Sequence, residues 1–238
     1  VNGFGQMMIA TRHGNFAVKK GDKLAGTRII PLVIEEEKME AAKKAAAEAT
    51  GGCPILELKP FLHKKVGIVT TGNEVFYGRI KDTFTPVIRG KLSEFDTEVI
   101  DHVTWNDDDT KVTASILDMI QKGADVVVCT GGMSVDPDDK TPLAIRNTGA
   151  DIVSYGAPVL PGAMFLLSYY DAGDRLVPIC GLPGCAMYNK RTIFDIVLPR
   201  LMACDMILAD ELAGLGEGGL CLNCDVCTFP NCGFGKGF

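Results

Sequence analysis

Thr71-Gly72-Asn73-Glu74, Gly131-Gly132-Met133-Ser134 and Gly181-Leu182-Pro183-Gly184 are three short segments of one chemical type. Each follows a run of apolar residues and combines glycine with small, hydroxyl or amide side chains. Glycine lets a backbone come close to a ligand, and amides exposed at the start of a following helix favour an anion. Such loops can cradle a phosphate. A single one says little, because a tight strand-to-helix turn needs glycine for geometric reasons alone. Three at corresponding positions leave two readings open, a phosphate site and a generic doubly wound sheet.

The acidic residues sharpen this. Glu74 lies in the first loop, Asp82 follows it, and Asp139 follows the second. Carboxylates beside an anion site make sense where a cation intervenes. Mg²⁺, usually held by one or two carboxylates together with substrate phosphates, is the cation expected. Asp136, Asp138 and Asp139 also precede a helix expected from near Lys140. Capping would account for one or two of them, but not for Glu74 and Asp82.

A second constellation stands apart. Cys221, Cys224, Cys227 and Cys232 form C-x2-C-x2-C-x4-C. Four thiolates so close in sequence can converge on one metal centre, and little else would order so glycine-rich a segment. The first three spacings are those of the bacterial ferredoxin run, whose fourth ligand follows after about three residues and precedes proline. Here the gap is longer and Pro230 comes before Cys232. An iron–sulfur cluster of the 4Fe-4S type is the first expectation, structural Zn²⁺ the second, and an unligated tail the alternative. His13, His63 and His102 are too dispersed to act together, Trp105 reads as packing, and Cys185 as a small loop residue.

The elements that must position these groups alternate. Val66–Thr70, Glu98–Thr104 and Asp125–Thr130 read as strands, and Pro86–Phe95 as a helix. Val112, Ile116, Met119 and Ile120 share one helical face, preceded by capping candidates Asp107 to Asp109. Continuous apolar strands between amphipathic helices imply a parallel sheet covered on both faces. Ligands then bind beyond the carboxyl ends of the strands. Before this stretch, Met7–Thr11 and Asn15–Lys20 read as short β segments, and Glu35–Ala49 as a charged helix with a solvated face where Glu40 and Lys44 can pair. Beyond it, glycine and cysteine dominate, a composition that builds no core. The expected division is an N-terminal β/helix segment over 1–61, an α/β domain over 62–204 and a metal-binding tail over 205–238. The first is expected to be truncated, since the chain opens at Val1.

Bulk properties exclude some classes. The 238 residues carry a formal charge of −6, and no basic cluster interleaved with aromatics appears, so nucleic-acid binding is not expected. No run approaches the roughly 18 apolar residues of a membrane span, and no secretory leader is visible. Cysteines inside apolar strands, such as Cys129 and Cys180, fit a reducing compartment, so the cytoplasm is expected.

Together the loops resemble the molybdopterin-binding domain shared by the MoeA and MogA families of molybdenum cofactor biosynthesis. The matching residues are Thr71-Gly72-Asn73-Glu74, Asp82, Gly131-Gly132-Met133-Ser134-Val135 with Asp139, Pro161-Gly162, and Gly181-Leu182-Pro183-Gly184, within about Lys64 to Ala203. The segment from Val18 to Ile34 and the cysteine tail resemble a subgroup of such proteins from anaerobes. The resemblance implies an α/β/α three-layer sandwich with a mostly parallel sheet, here with a small N-terminal β-rich segment and a Cys-rich tail. It implies binding of molybdopterin or adenylylated molybdopterin, and support of molybdate insertion with Mg²⁺. Carried over, Asp139, Asp82 and Glu74 are the acidic catalytic residues. Thr71, Gly72, Gly131, Gly132, Ser134, Pro161, Gly162, Gly181, Pro183 and Gly184 contact the ligand. A dimer or trimer and a molybdoenzyme client are implied as partners. The alternative is a non-catalytic carrier or sensing adaptor whose metal-holding tail contacts a molybdoenzyme. Departures at three positions favour that alternative: Leu160 and Ala163 flank Pro161-Gly162 where lysines are typical, and Cys185 opens a Cys-Ala pair in place of Asn-Pro; Asp136, in place of the usual glycine, brings a charge close to the expected phosphate.

Overall fold

The computed structural model describes residues 1–134 and 139–237. The chain forms two compact units, Val1–Pro60 and Phe61–Phe238.

In the first unit β1 (Met7–Thr11) pairs antiparallel with β2 (Ala25–Ile29), and α1 (Glu36–Ala49) follows. The expected strand over Asn15–Lys20 does not form. Asn15 takes a left-handed φ of 59°, which breaks extended backbone, and the pairing partner is the later Ala25–Ile29 run. Helix α1 buries only Ala42. Its charges pair differently from the expectation: Glu40 with Lys43 at 2.6 Å and Lys44 with Glu48 at 3.8 Å.

The second unit is built on a six-stranded sheet of order β4-β3-β5-β8-β7-β6. Its strands are β3 (Lys64–Thr71), β4 (Thr97–Trp105), β5 (Val126–Thr130), β6 (Asp151–Tyr155), β7 (Leu166–Asp171) and β8 (Leu176–Leu182). β4, β3, β5 and β8 run parallel, whereas β7 is antiparallel to both its neighbours. Five strands therefore share one direction, and their carboxyl ends form one edge. β7 departs from an all-parallel sheet because Asp171 and Gly173 close a tight turn into β8.

Side chains alternate between two cores. Val69, Val127, Cys129 and Ile179 face α4 (Asp109–Gln121) and α5 (Thr141–Asn147); Val66, Ile68, Val128 and Cys180 face α3 (Phe84–Leu92) and α6 (Ile193–Met202). This is a three-layer α/β/α sandwich. α4 buries Val112, Ile116, Met119 and Ile120, the face its periodicity predicts, and Asp108 caps it by accepting from the Lys111 amide at 3.1 Å. Each such buried side chain contributes about 1.5–3 kcal/mol. The helix sits so close to β3 that a Cβ on Gly67 would lie 2.5 Å from Met119 Sδ.

The tail is not merely a glycine-rich appendage. Phe234 is buried in the core, and Cys221, Phe229 and Cys232 pack against it. Absent side chains make this possible: a Cβ on Gly219 would stand 2.2 Å from the Pro158 carbonyl oxygen, and one on Gly237 2.2 Å from that of Gly214. The expectation that this composition builds no core is corrected, because glycine permits close backbone approach as well as flexibility. Among the described residues no helix is long and apolar enough to cross a membrane.

Candidate functional site

After β3 the chain moves to β4 on one side and then to β5 on the other, so the strand order reverses between β3 and β5. At such a switch point the two post-strand loops diverge and leave a crevice at the carboxyl edge. Here the two loops are tied together beneath it. Thr71 Oγ1 lies 2.9 Å from Thr141 Oγ1, which donates to the Gly131 carbonyl at 2.9 Å. Gly131 has φ +82°, and a Cβ there would meet the Thr71 carbonyl oxygen at 2.1 Å. Only glycine fits. Gly132 is pinched likewise between the Thr141 and Thr71 hydroxyls, and the Gly72 amide donates to the Trp105 carbonyl at 3.1 Å.

The third loop joins through Met133. A Cβ on Gly181 would reach Met133 Cε at 2.6 Å, so β8 meets the second loop without a side chain between them. The link between β6 and β7 contributes Pro161-Gly162 at the same edge. Gly162, at φ +130°, lies against Ile193 Cγ2, and the Pro161 carbonyl accepts the Ile193 amide at 3.2 Å. α6 is itself fixed by a capping box between Thr192 and Asp195. The buried Asp195 carboxylate also receives Lys91 at 2.7 Å and Arg191 at 2.8 Å.

The second and third loops and the link between β6 and β7 border a cleft of about 600 Å³ lined by Ser134, Pro161, Gly162, Ala163, Pro183, Gly184 and Cys185, with Leu160, Leu220 and Cys221 at one wall; among the described residues none of Thr71 to Glu74 lines it. That volume suits a small-molecule ligand. Among the described residues no Lys or Arg lines the cleft, so an anion here would rest on backbone amides and hydroxyls. Asp139 stands beside the cleft, accepting the Ser134 amide. Tyr155, whose hydroxyl lies 3.5 Å from the Ser134 carbonyl, is held as a neutral phenol: burial and the nearby Asp139 charge raise its pKa. Burial likewise raises the Cys185 thiol, which makes it a poor nucleophile.

The acidic residues are not brought together. Glu74 is exposed in the first turn of α2 (Asn73–Phe76). Asp82 is spent on capping α3, accepting the Phe84 and Thr85 amides at 2.9 and 3.1 Å and the Thr85 hydroxyl at 2.5 Å. Among the described residues no three Asp, Glu, His or Cys side chains cluster closely enough to hold one ion. Capping a helix and binding a metal draw on the same residue type, and Asp82 is engaged in the first. Val135, Asp136 and Asp138 lie outside the described residues. Cys221, Cys224, Cys227 and Cys232 are free thiols that do not converge on a point, but all four line a second cavity of about 590 Å³. Sequence reasoning gives Thr141 and Tyr155 no role; Thr141, the first residue of a helix after a glycine loop, carries the one signal that could have found it.

Residues 67–203 match the family model described as "Probable molybdopterin binding domain". The chain belongs to that family. Among curated relatives, this molybdopterin-binding-domain protein is 26% identical to the molybdopterin molybdenumtransferase of Synechococcus elongatus over 80% of this chain and 48% of the relative. It is 27% identical to that of Haemophilus influenzae, over 62% of this chain and 37% of the relative. A CinA-like protein of Mycobacterium tuberculosis is 32% identical over 37% of this chain and 21% of its own length. The chain thus spans less than half the length of these relatives. Among solved structures, the molybdopterin biosynthesis enzyme MoaB of Thermus thermophilus has a TM-score of 0.46 at 24% identity, over 58% of this chain and 91% of that one.

Proposed function

We propose that the carboxyl-edge cleft binds molybdopterin and that the protein supports molybdate insertion into molybdopterin or its adenylylated form. The observation that carries this reading is the convergence of Ser134, Pro161-Gly162 and Pro183-Gly184, from three separate connections, on one cleft in a domain of the molybdopterin-binding family. The glycines admit a bulky planar ligand with its phosphate against the backbone. Ser134 offers a hydroxyl, and Asp139 positions the loop that presents it. Tyr155 supplies a proton donor beside the same loop. We assign this work to the cytoplasm, to a homodimer or homotrimer, and to a molybdoenzyme as eventual recipient.

A second reading, a carrier or sensing adaptor without turnover, is favoured by one observation: among the described residues no cationic side chain lines the cleft. Acceleration of phosphoanhydride cleavage draws on positive charge at the leaving oxygens. In this reading the cysteine tail, loaded with an iron–sulfur cluster or Zn²⁺, contacts the recipient enzyme.

One assay separates the two. Purified full chain is incubated anaerobically with adenylylated molybdopterin, molybdate and Mg²⁺, and AMP release is followed. Molybdate-dependent AMP release that disappears in Asp139→Ala supports the insertase. Binding without release supports the carrier, and neither binding nor release contradicts both.

A further inference from the structure

Lys64, the first residue of β3, is only 9% exposed. Among the described residues the one side-chain partner of its ammonium is a thiol: Nζ donates to Cys204 Sγ at 2.8 Å, across 140 residues of sequence. A buried lysine is ordinarily paired with a carboxylate, because leaving water deprives the cation of its hydration. The carboxylate that follows Cys204 in the chain, Asp205, is instead turned to Arg200 Nε at 2.5 Å. Burial thus aims a nitrogen at a sulfur with no counter-charge beside it.

Cys204 is itself placed unusually. It stands just past Ala203, the cap of α6, with its thiol free and exposed and a φ of +52°. Helices that end in this left-handed conformation commonly use glycine there, since a Cβ disfavours it. The thiol meets solvent on one side and the Lys64 nitrogen on the other. Exposed thiols beside a cation are the kind that oxidants reach. The backbone keeps the pair together: the Leu62 amide donates to the Met202 carbonyl at 3.0 Å, and the Cys204 amide to the Leu201 carbonyl at 3.1 Å.

We propose that Cys204 and Lys64 form a peroxide-responsive modification site, at which oxidised sulfur is captured by the lysine nitrogen as a covalent S–N link. In the first step the Cys204 sulfur attacks a peroxide. The O–O bond breaks, sulfur is oxidised by two electrons to its sulfenic acid, and water or an alcohol leaves. In the second step the Lys64 ammonium gives one proton to solvent and its nitrogen attacks that sulfur. The S–N bond forms, the S–O bond breaks, and the hydroxyl leaves as water with a second proton from nitrogen. A thiol co-reactant reverses the link: it attacks the sulfur, the S–N bond breaks and the amine regains its proton. A second thiol then frees Cys204 and departs as a disulfide with the first. Capture by nitrogen holds the sulfur short of the irreversible sulfinic stage. It also staples the start of β3 to the end of α6, at the opposite end of β3 from Thr71.

The test treats the reduced full chain with hydrogen peroxide beside Lys64→Arg and Cys204→Ser. Remaining thiols are blocked with iodoacetamide, tryptic peptides are mapped by mass, and sulfenic acid is trapped in parallel with a cyclic 1,3-diketone. In the wild type we expect peptides joined at Lys64 and Cys204, uncut after Lys64 and lighter than their sum by the hydrogens lost. Dithiothreitol should release them, and neither variant should contain them. Lys64→Arg keeps a cation near the sulfur but has no amine, so trapped sulfenic acid at Cys204 should rise at least about tenfold over the wild type. The linked wild type should melt at a higher temperature than the reduced one, as a cross-link over so long a loop requires. A Cys204 that stays reduced, that pairs with another cysteine, or that is trapped equally in wild type and Lys64→Arg overturns the proposal. Should either variant fail to fold, the presence or absence of the joined wild-type peptides decides.

Discussion

Thr71 and Thr141 meet hydroxyl to hydroxyl at 2.9 Å across 70 residues of sequence. Their contact joins the end of β3 to the start of α5 and closes both around Gly131 and Gly132. The crevice of the reversed strand order is thereby given a fixed floor, and the loops above it a fixed origin.

That floor should tolerate no side chain at Gly131. Gly131→Ala places a Cβ against the Thr71 carbonyl in a left-handed conformation. We expect a loss of about 2–4 kcal/mol in denaturant unfolding. Thr71→Val should cost about 1–2 kcal/mol, because it leaves Thr141 without one buried partner. Equal, negligible losses at both positions would show that the loops are not locked together.

His102 makes stability depend on pH. Its Nε2 lies 3.0 Å from Thr85 Oγ1 and 3.2 Å from Thr70 Oγ1. Burial lowers its pKa from the ordinary 6.5, outweighing the raising pull of Asp82. A depressed folded-state pKa means that the unfolded chain takes up the proton first. The contribution is therefore complete above the unfolded value and is lost as pH falls through the folded one. Between about pH 7 and about pH 5 the wild-type melting temperature should fall further than that of His102→Gln. Parallel pH profiles would refute this role.

The buried Lys91–Asp195 pair has both side chains almost wholly enclosed and a separation of 2.7 Å. Lys91→Met leaves Asp195 with Arg191 and its own capping bonds, and should cost about 3 kcal/mol. Arg191→Ala, at the partly exposed rim, should cost less. The reverse order in urea unfolding would contradict the placement of the two cations.

Phe234 tests the docking of the tail. Phe234→Ala should destabilise the second unit by about 3–4 kcal/mol, as expected of a buried aromatic. An unchanged unfolding midpoint would mean that the glycine-rich end does not join the core.

Much of this architecture is written in local pattern. The β-branched run of Val66–Thr70 and the spacing of Val112, Ile116, Met119 and Ile120 give β3 and α4 directly, because burial on both faces and burial on one face leave different periodicities. The carboxyl-edge loops follow from the order of such elements. β7 was not legible, since nothing in Leu166–Tyr170 distinguishes an antiparallel strand from a parallel one. Nor was the docking of the tail, since a glycine shows only what is missing and not what backbone comes to fill its place. Asp82 is the instructive case. Sequence brings it to the right edge, but only the fold reveals that Phe84 and Thr85 consume its oxygens. Tyr155 comes to the Ser134 loop across the sheet order, which no spacing in the chain records.

The most direct test of the central claim is anaerobic molybdopterin titration of the wild type and of Ala163→Phe. Ala163 lines the cleft and is only partly buried, so a phenyl ring there should fill the ligand space and spare the fold. The account predicts saturable, one-to-one binding to the wild type and at least about tenfold weaker binding to the variant at an unchanged melting temperature. Equal affinity in the two proteins would place the ligand elsewhere and contradict it.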